Sequence, residues 1–204
     1  PLDRPILELG QVVALRGQPR IRVLANRLEH LVASAVQLLE LEHRLQQRLH
    51  TLPQDKDSWA KLGGSYVELA RVTADPAYYA KAEGALKNAG DTGFAAVGMG
   101  TLAHARHDFH AARDWAQKAI TALPASSEAY GVLADALTQL GDDAGAQDAV
   151  QKMLDLKPNT ASFARASFHL ELHGDVDGAR DAMQRALTAA ATPEEIAFCR
   201  YRLG

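Results

Sequence analysis

Cysteine is almost missing from this chain. Cys199 is the only one in 204 residues, so no intrachain disulfide can form and zinc sites built from several thiolates are ruled out. That scarcity favours a reducing compartment, and a cytoplasmic location is expected. No apolar run approaches the roughly 20 residues needed to cross a bilayer, so membrane insertion is not expected. The opening PLDRPILELGQ lacks the basic and apolar regions of a signal peptide. The chain starts at Pro1 rather than Met, which leaves open whether it is a fragment or a full product, so the missing signal says little about the parent protein. An excess of positive charge is also missing. The formal charge is −3, the pI is near 6.3 and no Lys/Arg run forms a basic stripe, which argues against nucleic acid as a partner. Alternating β-branched runs are nearly absent after residue 50, which argues against a sheet.

What the chain does have is alanine in helical rhythm, with 47% hydrophobic residues to form a continuous core. GDDAGAQDAVQKMLDLKPN, from Gly141, is a worn copy of HDFHAARDWAQKAITALPA, from His107. Asp108 and Asp142, Ala112 and Ala146, Ala119 and Met153, and Pro124 and Pro158 all stand 34 residues apart. Each copy reads as a helical hairpin. In the copy from Ser127, the residues Tyr130, Leu133, Ala134 and Leu137 share one face, Gly141-Asp142 turns the chain, and Ala146, Ala149, Val150, Met153 and Leu154 face back. Pro158 then closes the second helix. The neighbouring copies place Met99, Gly100 and Ala103 against Ala112, Ala116 and Ala119, and Phe163, Ala166, Ser167 and Leu170 against Ala179, Met183 and Ala186. Their turns fall at His107-Asp108 and Gly174-Asp175, and the last copy is one residue short. The first copy opens with Trp59, Leu62, Gly63 and Tyr66, but its next marker, Ala82, comes seven residues late, about two helical turns. The insertion therefore lengthens the hairpin and keeps its inward face, with the longer turn at Asp75-Pro76.

These residues, Trp59-x2-Leu62-Gly63-x2-Tyr66 with the Gly-Asp turn and the closing prolines, resemble the tetratricopeptide repeat over roughly residues 53 to 190. ELARVTADPAYYAKAEGAL more loosely resembles the opening repeat of a bacterial tetratricopeptide group with an ARVTADPxYY-type first repeat. Departures are Ala96, where an aromatic is common, and His107 in place of the turn glycine. The resemblance implies an all-α fold, a right-handed α-α superhelix, with hairpins at about 53–92, 93–126, 127–160 and 161–191. A leucine-rich segment over 1–52, containing a long helix, precedes them. Thr192-Pro193-Glu194-Glu195 carries the signals of a helix start, so 192–204 is a capping helix or truncated fifth repeat.

The same resemblance implies an inner wall made by the first helix of each pair. It carries over onto Ala60, Gly64 and Glu68; Phe94, Val97, Thr101 and His104; Glu128, Gly131, Asp135 and Thr138; and Ala164, Phe168 and Glu171. That wall is partly apolar and net acidic, so the expected partner is a protein or peptide with apolar anchors and some positive charge. Phe94 and Phe168 are open to two readings, packing between repeats or ligand contact. A chaperone-tail receptor is disfavoured, because the positions that would need lysine and asparagine are Ala60, Gly64, Val97 and Thr101.

Between residues 20 and 51, Leu24, Leu28, Leu31, Ala35, Leu38, Leu45 and Leu49 follow steps of four and three. Such a helix either packs on the first repeat or makes the chain a self-associating module, a homo-oligomer in which it pairs with another chain or occupies a neighbour's groove. Leu41, Leu45 and Leu49 ahead of Pro53 also match a degenerate second helix of an earlier repeat. Residues 1–19 are open to extended or helical readings. No enzyme signature is present and no cofactor is expected. His104, His107 and His110 straddle a chain reversal, His169 and His173 lack an evident third ligand, and GMGTLA has no strand before it. No nucleophile, elbow or carboxylate pair stands out.

Overall fold

A computed structural model describes residues 19–204, with side chains from Val32 onward. The open readings at the chain start lie outside the described residues, as do the side chains of Leu24, Leu28 and Leu31. The described part is all helical: α1 Pro19–Thr51, α2 Lys56–Thr73, α3 Ala77–Ala89, α4 Gly93–Ala105, α5 Phe109–Ala122, α6 Ser127–Leu140, α7 Asp143–Leu156, α8 Thr160–Leu172, α9 Val176–Ala189 and α10 Pro193–Leu203. No strand occurs among the described residues.

Short polar residues set the helix starts. Asp55, Thr92, Asp108, Ser126, Asp142, Asn159, Asp175 and Thr192 each accept a hydrogen bond from the backbone N–H three residues on, satisfying a donor the helix itself cannot. Asn159-Ser162 and Thr192-Glu195 close reciprocally as capping boxes, the second at the helix start expected from the sequence. At two hairpin turns, Gly141 (φ 76°) and Gly174 (φ 80°) take left-handed backbone. His107 adopts the same conformation (φ 62°) without being glycine, and Phe109 packs edge-on against it and against His104.

The insertion in the first hairpin is shared between two helices. Helix α2 has 18 residues against 13 in α4, and α3 starts five residues before Ala82 where α5 starts three before Ala112. The residue missing from the last copy comes out of the link between hairpins, since α7 and α8 are closer in sequence than α5 and α6.

Each hairpin packs its two helices together, and each second helix also packs on the first helix of the next pair. Ala112, Ala116 and Ala119 are fully buried, as are Ala82, Ala89 and Ala186, because only a small side chain fits where axes come this close. The glycines of GMGTLA are inside α4 and serve the same close approach. A Cβ on Gly98 would stand 2.3 Å from Cδ2 of Leu86, and one on Gly63 would stand 2.5 Å from its Cγ. Leu86, 1% exposed, is thus wedged between α2 and α4. Buried hydroxyls are paired across the hairpins: Ser127 donates to the Met153 carbonyl, Thr160 to Ala186 and Ser167 to Ala179.

The C-terminal half of α1 docks antiparallel on α2 as a second helix does, with Leu45 and Leu49 buried among Leu62, Tyr66 and Leu69, and Leu38 and Leu41 packed at the edge. Leu45 is therefore engaged inside the chain, while Leu38 is half-buried at the edge of this packing. A polar knot pins the junction: Arg48 Nε donates to Asp55 (2.6 Å) and Ser58 Oγ donates to the same carboxylate (2.8 Å). The Arg48 guanidinium, with the Ser58 donors, holds the Asp55 carboxyl down at about 2. A carboxylate depressed on folding stabilises above its unfolded value near 3.8 and loses that stabilisation as pH falls toward 2. Trp59 donates its indole N–H to Pro53 at this junction (2.8 Å). In a Trp115→Phe background, Trp59 fluorescence is expected to shift between about pH 4 and pH 2, before far-ultraviolet circular dichroism reports loss of the repeats. Coincident transitions would contradict this.

Candidate functional site

First helices touch in succession, α2 on α4, α4 on α6 and α6 on α8, whereas successive second helices make no comparable contact. The array therefore curves with the first helices on the short, inner side. Its ends approach one another: α1 and the first turn of α10 face across a cleft of about 470 Å³ lined by Ser34, Leu38, Leu41, Arg44, Glu68 and Glu194. Helix α1 thus walls one end of the hollow.

The residues named from the sequence differ in how far they stand open along this inner side. Phe94 and Phe168 are open, at 56% and 43% exposure. Val97 is half-buried against Ala96, Ala119 and Ala129, and the His104 ring leans on Phe109, so both serve partly as packing. Thr101 and Thr138 spend their hydroxyls on the carbonyls of Val97 and Ala134 one turn back. Ala60, by contrast, is buried between α3 and α4, against Ala89 and Ala95.

The acidic character expected of the wall is largely compensated. Asp135 receives a two-pronged hydrogen bond from Arg165, through Nε (2.9 Å) and Nη2 (2.7 Å). Glu68 is paired with Arg71, and Glu171 with Arg202 of α10. The Arg165 fork lies over Gly131, where a Cβ would stand in ordinary contact with its Cζ at 3.4 Å. Sequence reasoning missed Arg165 and Arg202. Their signal was available in the register: each stands about one repeat after its carboxylate, 30 and 31 residues on.

No group of three or more His, Cys, Asp or Glu is arranged to hold a metal among the described residues. His173 turns Nδ1 to the His169 carbonyl (2.8 Å) and Nε2 toward Asp143 (3.6 Å). Burial, then the neighbouring His173, lowers the His169 pKa. Cys199 is fully buried, and burial raises its thiol pKa, which keeps it the unreactive thiol. No helix of the described residues is long and apolar enough to cross a membrane.

No protein-family model matches the sequence, and no curated protein matches it. Solved structures do. TTC0263, a thermophilic TPR protein of Thermus thermophilus, is similar at 14% identity with a TM-score of 0.67, covering 86% of this chain and 96% of that one. A tetratricopeptide repeat protein from Parabacteroides merdae is similar at 15% identity with a TM-score of 0.62, covering 97% and 84%. The fold is the tetratricopeptide-repeat solenoid. YrrB, described as a TPR protein with an unusual peptide-binding site, shares it at 16% identity with a TM-score of 0.52, covering 85% of this chain and 88% of that one. In the terms of this solenoid, Phe94, Asp135 and Phe168 come from three successive first helices, α4, α6 and α8.

Proposed function

We propose that this solenoid is a non-catalytic protein-interaction scaffold whose inner wall docks a peptide or helix, anchored by apolar side chains at Phe94 and Phe168. The observation that carries the reading is the position of these two open rings, 56% and 43% exposed, on first helices two repeats apart; Phe198 and Tyr201 are open as well, but both belong to α10 at the end of the array. Aromatic groups left open in a concave surface offer much contact area at little cost in side-chain entropy. The peptide site attributed to YrrB lends support by analogy of fold. Positive charge on the partner plays the smaller part here: a basic side chain would share Asp135 or Glu171 with the arginines already seated there. The reading calls for no cofactor, and we place the protein in the cytoplasm, consistent with its single buried thiol.

Affinity capture from the native host followed by mass spectrometry identifies the ligand, and a labelled peptide from it then reports affinity by fluorescence anisotropy. Phe168→Ala is expected to weaken binding about 10- to 100-fold, and Asp135→Lys to weaken it less, with unfolding midpoints near wild type for the phenylalanine variant. Retention of every captured partner by Phe94→Ala/Phe168→Ala would reject the reading.

A further inference from the structure

Helix α10 stands off from the first helix before it. It packs on α9 but makes little direct contact with α8, whereas α2, α4, α6 and α8 touch in succession. What ties α10 to α8 is an ion pair, Arg202 with Glu171, in the way that Arg165 and Asp135 link α8 to α6. A trough is left between α8 and α10, bridged by that pair.

The register identifies the side chains that flank it. Phe168 stands nine residues after the cap Asn159 and Tyr201 nine after the cap Thr192, as Asp135 does after Ser126, so all three share one row of the inner wall. Phe168 precedes Glu171 by one helical turn, and Phe198 precedes Arg202 by one turn, so both rings lie on the sides that α8 and α10 turn toward each other. Cys199 and Leu203, on another side of α10, go into the core with Met183 and Ala186. Phe198 and Tyr201 are 47% and 73% exposed, and Leu172, one turn beyond Phe168, is 54% exposed. These four side chains leave on the order of 400 Å² of apolar surface open, a size that on a monomer often marks an interaction site.

Charge selects the occupant. Glu194, in the first turn of α10, meets Glu40 and Glu68 with Arg44 across the cleft formed with α1, while Arg200 and Arg202 are in the last turn of α10. The trough is thus acidic at the end closed by α1, apolar in the middle and basic at the far end. An α-helix laid parallel to α10 carries the matching dipole, positive at its start and negative at its end. In an extended chain the peptide dipoles alternate and leave little net dipole to match. Alongside the 11 residues of α10 there is room for about three turns of helix.

We propose that an amphipathic helix of a partner protein seats between α8 and α10, parallel to α10, with its apolar face on Phe168, Phe198 and Tyr201. This rests on the reading of the inner wall as a docking surface, and narrows its occupant from a peptide or helix to a helix of fixed direction. Helix α10 is then the fifth member of the wall as well as the cover of the last hairpin. Phe94, two first helices before Phe168, is left to the chain that flanks the docked helix.

The probe is an alanine- and glutamine-based peptide of about 15 residues, amidated, labelled with fluorescein and carrying leucine at helical spacing along one face. It is expected to bind by anisotropy, and a proline in its middle is expected to weaken it at least about 10-fold. Phe198→Ala and Tyr201→Ala are each expected to weaken it about 10-fold, with the unfolding midpoint unchanged for Tyr201→Ala, whereas Phe94→Ala leaves it alone. A nitroxide on the first residue of the probe should broaden the amide signal of Glu194, and one on the last residue that of Arg202. No binding, equal binding of the proline peptide, indifference to Tyr201→Ala or the reverse pattern of broadening overturns the proposal. If it fails while Phe94→Ala/Phe168→Ala still loses the captured partner, the docking wall stands without the helix, so the two failures are separable.

Discussion

Leu86→Ala should lower the unfolding free energy by about 3 to 4 kcal/mol, because it empties a site closed on both sides by helix backbone. The more informative variant is Gly98→Ala. In an exposed helix this change would stabilise by about 1 kcal/mol; here the new Cβ would stand 2.3 Å from Leu86 Cδ2. The leucine cannot swing away, since its Cγ already fills the space of a Cβ on Gly63, at 2.5 Å. Gly98→Ala is therefore expected to destabilise by about 1 to 3 kcal/mol, as overpacked cores do. The two changes should not add. In the double variant the alanine methyl occupies part of the cavity left by the leucine, so it should be at least as stable as Leu86→Ala alone. Urea unfolding of the two single variants and the double variant measures the coupling, and simple additivity would show that Leu86 is not the wedge.

Cys199→Asp should be the other large loss, and its size should depend on pH. Cys199 is fully buried against Met183 and Ala186, where α10 caps the last hairpin. Burial penalises the ionised carboxylate, so the folded pKa of an aspartate there stands above the unfolded value near about 4. For a group raised on folding, the neutral form is tolerated at low pH, and stability falls as pH climbs from the unfolded pKa to the folded one. If the folded aspartate titrates near about 7, the penalty at pH 7 exceeds that at pH 4 by about 3 kcal/mol. Cys199→Val should cost little at either pH. Denaturant titrations at the two pH values decide the matter, and an equal penalty in both would mean that α10 opens and wets the site.

The repeat was legible because its causes are local. Asp108, Asp142 and Asp175 cap helices whichever neighbours surround them, Gly141 and Gly174 take the left-handed turn that few other residues accept cheaply, and alanines at fixed spacing mark the touching faces. Even the irregular first hairpin followed from Ala82 arriving late, because an insert of two helical turns preserves the facing side. The inner wall was legible only in outline. Its positions follow from the period, but their charge does not: Asp135 and Glu171 count as acidic in a sequence, and they are half of ion pairs once Arg165 and Arg202 arrive from the next first helix. The leucines of α1 show the same limit. Their spacing was compatible with a seam between chains, and Leu45 turned out to be buried on α2 with Leu38 half-buried at its edge, while the open side is that of Val32, Val36 and Leu39.

The sequence by itself determined the helices, their ends, the 34-residue beat and hence that neighbouring hairpins stack, since capping, turn conformation and side-chain spacing act within a few residues of one another. Only the tertiary structure decided which carboxylates keep their charge unshared, which glycines make room for Leu86, which face of α1 is spent, and that the first and last helices meet across a single cleft. Those outcomes depend on distances between residues tens of positions apart. Such distances are set by how much each hairpin rotates on the one before it, and that rotation is the sum of many small packing contacts that no local pattern records.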